Sequence, residues 1–290
     1  MRQKGNNTLI DTFGKLSNGT LTVKDWELFA KRELNSDNFT IDERKDFIEN
    51  GTLLCCYNKH LIAYNKHRLT GLKQPIAKIK SQNKPLSVST LPATLANGLQ
   101  SNLWIAKGAK IKLCYNYWKE AGLTNGAQGT IRYIIYEGKS KPPELPSIVI
   151  VEFPQFTGEN GYLGMDKCVP IVPRKETWFD SKVKSKSPDG DGSCFRLMVP
   201  FKLNWGMTVH SSQGQSAPGK LILDLADKEF ECGVSYVGVT RVKSLENLAF
   251  VKTRPFKPRW SSIFTMKLFK MRLEQDEKEK ESNDKYFPKQ

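Results

Sequence analysis

The stretch LLCCYNKHLIAYNKHRL, Leu53 to Leu69, decides the fold. Its first five residues form a compact apolar run bounded by Gly51 and Asn58, which predicts a strand buried on both faces of a parallel sheet. Asn58 can cap the helix that follows, whose Leu61, Ile62, Asn65, Leu69 and Leu72 share one face and which ends near Gly71. Strand followed by helix is the α/β pattern. Upstream, TVKDWELFAKRE from Thr22 and TIDERKDFIEN from Thr40 put a capping hydroxyl ahead of an acidic first turn and space their apolar residues three to four apart, so each predicts a short helix. Downstream, after Phe201, KLILDL and NLAFV are again apolar runs of strand length.

Between these α/β portions the pattern changes. From Gly108 onward IKLCYNY, TIRYIIYEG, SIVIVEF, VPIVP and FRLMVPF are β-prone pieces separated by NGAQG, KPPELP, GENGYLG and SPDGDGS. Five strands in about 90 residues suit a small β barrel inserted into one α/β domain. The expected organisation is therefore residues 1–107 as the first part of the α/β domain, 108–200 as the barrel, and 201–254 as the remainder. Residues 255–290 are expected to be a charged tail, basic at RPFKPRW and MKLFKMR. Its end, LEQDEKEKESNDKYFPKQ, predicts a solvated helix fraying into disorder. No internal repeat is present.

The charge balance narrows the class of partner. Forty-five Lys plus Arg against thirty Asp plus Glu leave +15 over 290 residues, which points to a folded protein meeting a polyanion. Asn50 to Lys119 sharpens this, because that span holds eleven Lys or Arg and no carboxylate. The N-terminal MRQKGNNTLIDTFGKLSNG has no apolar core of signal-peptide length, and no segment approaches the ~18 apolar residues of a membrane span. The expectation is an intracellular protein with no membrane contact, compatible with the nucleus or the mitochondrion. Cys55, Cys56, Cys114, Cys168, Cys194 and Cys232 form no C-x-x-C and keep no metal-ligand spacing with the three histidines, so reduced thiols and no metal site are expected.

The densest group of chemically special residues is NWGMTVHSSQGQSAPGKLILDL, Asn204 to Leu225. Thr208 stands where a helix could start, with His210, Ser211, Ser212, Gln213 and Gly214 within the next turns. Small donors and an imidazole at a helix N-terminus suit phosphate and sugar contacts; an ordinary capped turn has the same spacing. Gly214 to Lys220 has the G-x-x-x-x-G-K spacing of a phosphate loop but fails at Leu221, where the magnesium-holding hydroxyl would stand, and it precedes a strand instead of opening a helix. A second group is SYVGVTRVKSLENL, Ser235 to Leu248. The forked guanidinium of Arg241 suits a transferring phosphate, and it equally suits an ion pair with Glu246 or Asp227.

These two groups resemble motifs V and VI of the Pif/RecD-like DNA helicases of superfamily 1, which typically read T-x-H-K-S-Q-G and Y-V-A-[LV]-[ST]-R-x-[RK]. Here the wording is MTVHSSQG at 207–214 and YVGVTRVK at 236–243. GAKIKLCYNY with GLTNGAQGTI resembles the start of that family's inserted SH3-like barrel. LCCYNKHLIAYNKHRL resembles the strand and helix after motif IV, and Met1-Arg2-Gln3 resembles the R-Q of motif IV itself. The resemblance runs to about residue 253 and departs at Ser211, where the family usually has Lys.

The resemblance implies a RecA-like parallel-sheet domain interrupted by an SH3-like barrel. It implies that Arg241 and Arg2 reach the γ-phosphate of ATP as catalytic arginines, with Gly214 beside the nucleotide. It also implies that Thr208, His210, Ser212 and Gln213 touch single-stranded DNA. Tyr115, Tyr117 and Trp118 of the barrel could stack bases or pack in its core. Walker A and Walker B are not found in these residues. ATP and Mg2+ are thus expected only with a complementing first motor domain, and single-stranded DNA and a separate first RecA-like domain are the expected partners. The expected function is that of a second motor domain of an ATP-dependent helicase, from a fragment, a split enzyme or a degenerate copy. The rival is a non-catalytic adaptor for nucleic acid or protein, derived from a helicase.

Overall fold

The computed structural model of the chain describes residues 7–159, 161–181, 192–214, 219–229 and 231–286. In chain order, α1 (Asn7–Asn18), α2 (Val23–Ala30) and α3 (Ile41–Asn50) lead into β1 (Thr52–Cys55) and α4 (Asn58–Gly71). Then follow β2 (Ala77–Lys80), β3 (Gln82–Lys84), β4 (Asn102–Ile105), β5 (Lys110–Leu113), β6 (Gln128–Ile135), β7 (Ile148–Glu152), β8 (Cys168–Ile171), β9 (Arg174–Phe179), β10 (Ser193–Met198) and β11 (Phe201–Leu203). The chain continues with β12 (Gly206–Thr208), β13 (Leu221–Asp224), α5 (Val234–Val239), β14 (Leu248–Phe250) and α6 (Lys267–Tyr286). Two compact units result, one of Met1–Ile62 with Gly206–Gln290 and one of Ala63–Trp205. Among the described residues no helix is long and apolar enough to cross a membrane.

The first unit is built on a four-stranded parallel sheet of order β12-β1-β13-β14. The apolar runs expected to be strands are β1, β13 and β14. β1 lies inside the sheet with Leu53, Leu54 and Cys55 all buried, as its unbroken apolar sequence requires. Past β14, Arg32 to Leu34 extends the sheet through Leu34 N–H to Phe250 O at 2.8 Å and Phe250 N–H to Arg32 O at 2.8 Å. The helices α2 and α3 both start with capping boxes, Thr22 with Asp25 and Thr40 with Glu43. Thr22→Ala is expected to cost about 1 kcal/mol, read as a lower melting temperature that Thr22→Ser restores; equal melting of all three chains would remove the cap from the account.

The expected tail begins as core. Trp260 is fully buried, stacks on Phe29 with ring centroids 5.4 Å apart, and donates Nε1–H to Thr253 O at 2.9 Å. Arg259, Ile263 and Phe269 are buried beside it. RPFKPRW is therefore not wholly a basic surface run, because Trp260 and Arg259 are drawn into an interior to which Phe29, more than 200 positions earlier, contributes. The helix expected in the charged region is α6.

The second unit carries a five-stranded antiparallel sheet of order β11-β5-β6-β7-β8, a three-stranded sheet β3-β10-β9, and the pair β2-β4. FRLMVPF, expected to be one strand, breaks at Val199-Pro200 into β10 and β11, which join different sheets. Proline has no N–H to continue a ladder, which is why the change falls there. The unit also reaches further upstream than residue 108. Leu69, Ile79, Leu99, Leu103 and Ile105 share one core with Ile111, Ile131, Val149, Val151 and Phe201. Arg196, with no exposed surface, donates to Asn83 Oδ1, Leu99 O, Val88 O and Leu91 O at 2.8–3.0 Å, tying residues 83–99 to β10. Within α4, Asn65 and Leu69 are buried, whereas Ile62, expected on the same face, is 67 % exposed.

Candidate nucleic-acid and nucleotide site

In a parallel α/β sheet, ligands meet the carboxyl ends of the strands. The register pairs Cys55 with Thr208 and with Asp224, so the chain leaves β1, β12 and β13 on one edge. At this edge His60 Nδ1 lies 3.0 Å from Asp224 Oδ2. On the β12 side, His210 Nε2 lies 2.7 Å from Glu231 Oε2. The sequence reading had His210 but neither carboxylate nor His60, since nothing local marks partners 21 and 164 positions apart.

Thr208 does not open a helix. It ends the edge strand β12, and a single 3-10 turn, His210–Ser212, follows. The expected helix N-terminus with its aligned N–H groups and dipole is thus absent here, because parallel pairing with β1 holds Gly206 to Thr208 extended. Thr208 is buried and its hydroxyl lies 2.8 Å from the Ser211 hydroxyl. Ser212 is also buried, donating Oγ–H to Val209 O at 2.6 Å. His210, Gln213 and Gly214 are exposed. Gly214 has φ +78°, a left-handed conformation suited to glycine. Of the group Thr208, His210, Ser212 and Gln213, the exposed side chains are therefore His210 and Gln213, while Thr208 and Ser212 shape the turn that presents them.

α5 carries the second group. Gly238 packs on β13 so closely that a Cβ would lie 2.9 Å from Leu223 Cδ1, which explains a glycine inside a helix. Just past α5, Arg241 donates Nε–H to Val237 O at 2.8 Å, Nη2–H to Thr240 Oγ1 at 3.0 Å and Nη1–H to Ser212 O at 3.3 Å. Of the two carboxylates considered as its partners, Asp227 pairs with Arg254 at 3.0 Å. Val209, His210 and Gln213 of the first group and Val237 of the second line a cavity of about 30 Å3 together with Glu231 and Val234. That volume holds about one water and is far below the ~300 Å3 of a small-molecule pocket. Arg2 lies outside the described residues.

Below α5 is a buried charge pair. The side chains of Arg259 and Glu229 are both 1 % exposed and lie 2.8 Å apart, and Glu229 also accepts from Ser235 N–H at 3.0 Å and Ser235 Oγ–H at 2.6 Å. Arg259 further donates to Ala226 O at 2.8 Å. This network fixes the entry of α5 and so the direction from which Arg241 leaves it.

In the second unit the three aromatic candidates separate. Tyr117 donates its hydroxyl to Pro170 O at 2.9 Å, Tyr115 lies under the Arg174 guanidinium at 4.2 Å, and Trp118 is 48 % exposed. None of the six cysteines is in a disulfide, and burial pushes the Cys55 thiol up to about 12. Among the described residues no group of three or more His, Cys, Asp or Glu could hold a metal ion.

No family model matches the chain. It is 28 % identical over 219 residues to the ATP-dependent DNA helicase Pif1 of Campylobacter jejuni, covering 73 % of this chain and 44 % of that one. It is also 26 % identical over 234 residues to the ATP-dependent DNA helicase PIF1 of Xenopus laevis, covering 78 % of this chain and 31 % of that one. The chain spans less than half the length of the curated relatives it matches. Among solved structures it resembles the Pif1 helicase of Candida albicans with TM-score 0.65 at 20 % identity, over 96 % of this chain and 59 % of that one. It also resembles the Bacteroides Pif1 helicase in complex with ADP-AlF3 and ssDNA, with TM-score 0.60 at 16 % identity, over 93 % of this chain and 55 % of that one. The parallel sheet and these neighbours give the first unit a RecA-like fold.

Proposed function

We propose that this chain acts as the second motor domain of an ATP-dependent DNA helicase. Single-stranded DNA lies along His210 and Gln213, on the turn shaped by Thr208 and Ser212. Arg241, with Arg2 as a second arginine, completes an ATP site held mainly by a first RecA-like domain, which brings the phosphate loop and the Mg2+ ligands. By itself the chain hydrolyses no ATP. The five-stranded sheet β11-β5-β6-β7-β8 serves as an SH3-like insertion that steers the strand.

The observation that carries this reading is the bond from Arg241 Nη1 to Ser212 O. The arginine suited to a transferring phosphate is held by a carbonyl of the very turn suited to nucleic acid. A strand that moves this turn frees or reseats the guanidinium, a direct physical route from DNA occupancy to the phosphate clamp. The adaptor reading rests on Ser211, whose hydroxyl is bound to Thr208 where the helicases usually carry a lysine.

The test is anisotropy of a labelled single-stranded oligonucleotide against salt. If ~4 phosphates are neutralised, log K is expected to fall with log salt at a slope near about −3. Gln213→Ala is expected to weaken binding with no change in melting temperature, since the side chain is exposed. A flat salt response, or a Gln213→Ala chain that binds normally, would sink the assignment of this turn to the strand.

A further inference from the structure

Asp227, Glu229 and Glu231 crowd three carboxylates into the approach to α5. Asp227 meets Arg254 at 3.0 Å and Glu229 meets Arg259 at 2.8 Å, and an arginine is a permanently charged partner. Glu231 turns to the candidate site instead. Its Oε2 lies 2.7 Å from His210 Nε2, with the Glu231 side chain 57 % exposed and the His210 side chain 42 % exposed. An ionised carboxylate only accepts, so Nε2 carries the proton and directs it at Glu231. Such an exposed pair contributes little to stability. Beside a polyanion it is contrary, because it sets a negative charge on one of the two exposed side chains of the turn, in a chain whose net charge is +15.

The backbone fixes this placement. Val234 N–H donates to Glu231 O at 3.4 Å, and Gly233 enters α5 with φ +89°. Past the other end of α5, Arg241 holds Ser212 O. The turn His210–Ser212 is thus tied to α5 from both sides, by a carboxylate at the entry and a guanidinium at the exit. Cys232 lines the same small cavity, but burial pushes its thiol up, so it stays uncharged. Among the described residues lining that cavity, the anion is Glu231.

We propose that Glu231 is a built-in competitor for nucleic-acid phosphate, whose carboxylate takes the Nε2 proton of His210 in the empty turn and has to be displaced before His210 donates to a phosphodiester. Carboxylate and phosphodiester are both oxygen anions seeking one N–H, so seating one unseats the other. The inference rests on the strand site proposed above and adds its regulation, through a residue that lies between the two helicase-like motifs.

Glu231→Gln keeps the shape and an acceptor for the Nε2 proton while deleting the charge. It is expected to tighten binding of a labelled single-stranded oligonucleotide about three- to tenfold at ~0.1 M salt, the range for one charge removed about 6 Å from a phosphate. The gain is expected to shrink as salt rises, with the melting temperature unchanged. In a chain that also carries His210→Ala, the gain from Glu231→Gln is expected to fall to about twofold or less, because the competitor then has nothing to withhold. Glu277→Gln, which removes the same charge from an exposed position on α6, is expected to leave affinity within about twofold. Unchanged or weaker binding by Glu231→Gln would make the contact a structural tie and overturn the inference. An equal gain in Glu277→Gln, or a gain that persists in full without His210, would overturn it too. An unaltered chain that binds no oligonucleotide would overturn both this inference and the proposed function. Failure of Glu231→Gln alone, with Gln213→Ala still weakened, would leave that function standing.

Discussion

Arg241→Ala is expected to lower DNA-stimulated ATP hydrolysis by ~10³ or more when a first motor domain from an intact relative is supplied in trans. This chain without that complement is expected to stay at the blank. The magnitude separates two roles that the geometry joins. In the structure the guanidinium is held by Val237 O, Thr240 Oγ1 and Ser212 O, so removing it also costs hydrogen bonds. Such bonds contribute about 1 kcal/mol each to stability, which melting reports and which leaves catalysis within a few fold. A phosphate clamp loses orders of magnitude in rate at unchanged folding. Arg241→Lys is expected to fail nearly as badly as alanine, because an ammonium lacks the planar fork. Reconstituted activity that survives Arg241→Ala within a few fold would make the residue structural.

Arg259→Ala is expected to destabilise the chain by about 3–5 kcal/mol, since it strands the Glu229 carboxylate in the interior. Both side chains are 1 % exposed, and among the described residues Glu229 keeps the Ser235 donors once the arginine is gone. Urea denaturation measures the loss directly. Replacing both, Arg259→Met with Glu229→Leu, is expected to recover most of it, because the cost lies in an uncompensated charge more than in the missing pair. A single variant as stable as the unaltered chain would mean that water reaches Glu229 and that the network does not set the entry of α5.

What could be read from the sequence was whatever the chain decides locally. β1 was legible because an apolar run bounded by Gly51 and Asn58 has few other uses, and Thr22 and Thr40 announce their helices within four residues. What escaped depends on partners far along the chain. Trp260 reads as part of a basic tail until Phe29 lies against it, and Thr208 reads as a helix start until β1 claims Gly206 to Thr208 as a strand. The candidate site divides in the same way. The motifs name Arg241 and Gln213 as candidates, whereas the contacts of Glu231 and Asp224 and the Arg259–Glu229 pair are ones that no spacing encodes.

The place of β1 between β12 and β13 also sets a timetable for synthesis. Leu53 leaves the ribosome with no sheet partner to pair with, because Gly206 and Ile222 are encoded 153 and 169 residues later. At ~5–20 residues per second that delay is roughly 8–30 s. During it, the contiguous Ala63–Trp205 unit can complete its own core while Leu53, Leu54 and Cys55 wait as a bare apolar strand. Stalled or truncated translation before Gly206 would leave a finished insert attached to an unfinished sheet, a nascent chain for a chaperone or a protease to recognise at β1.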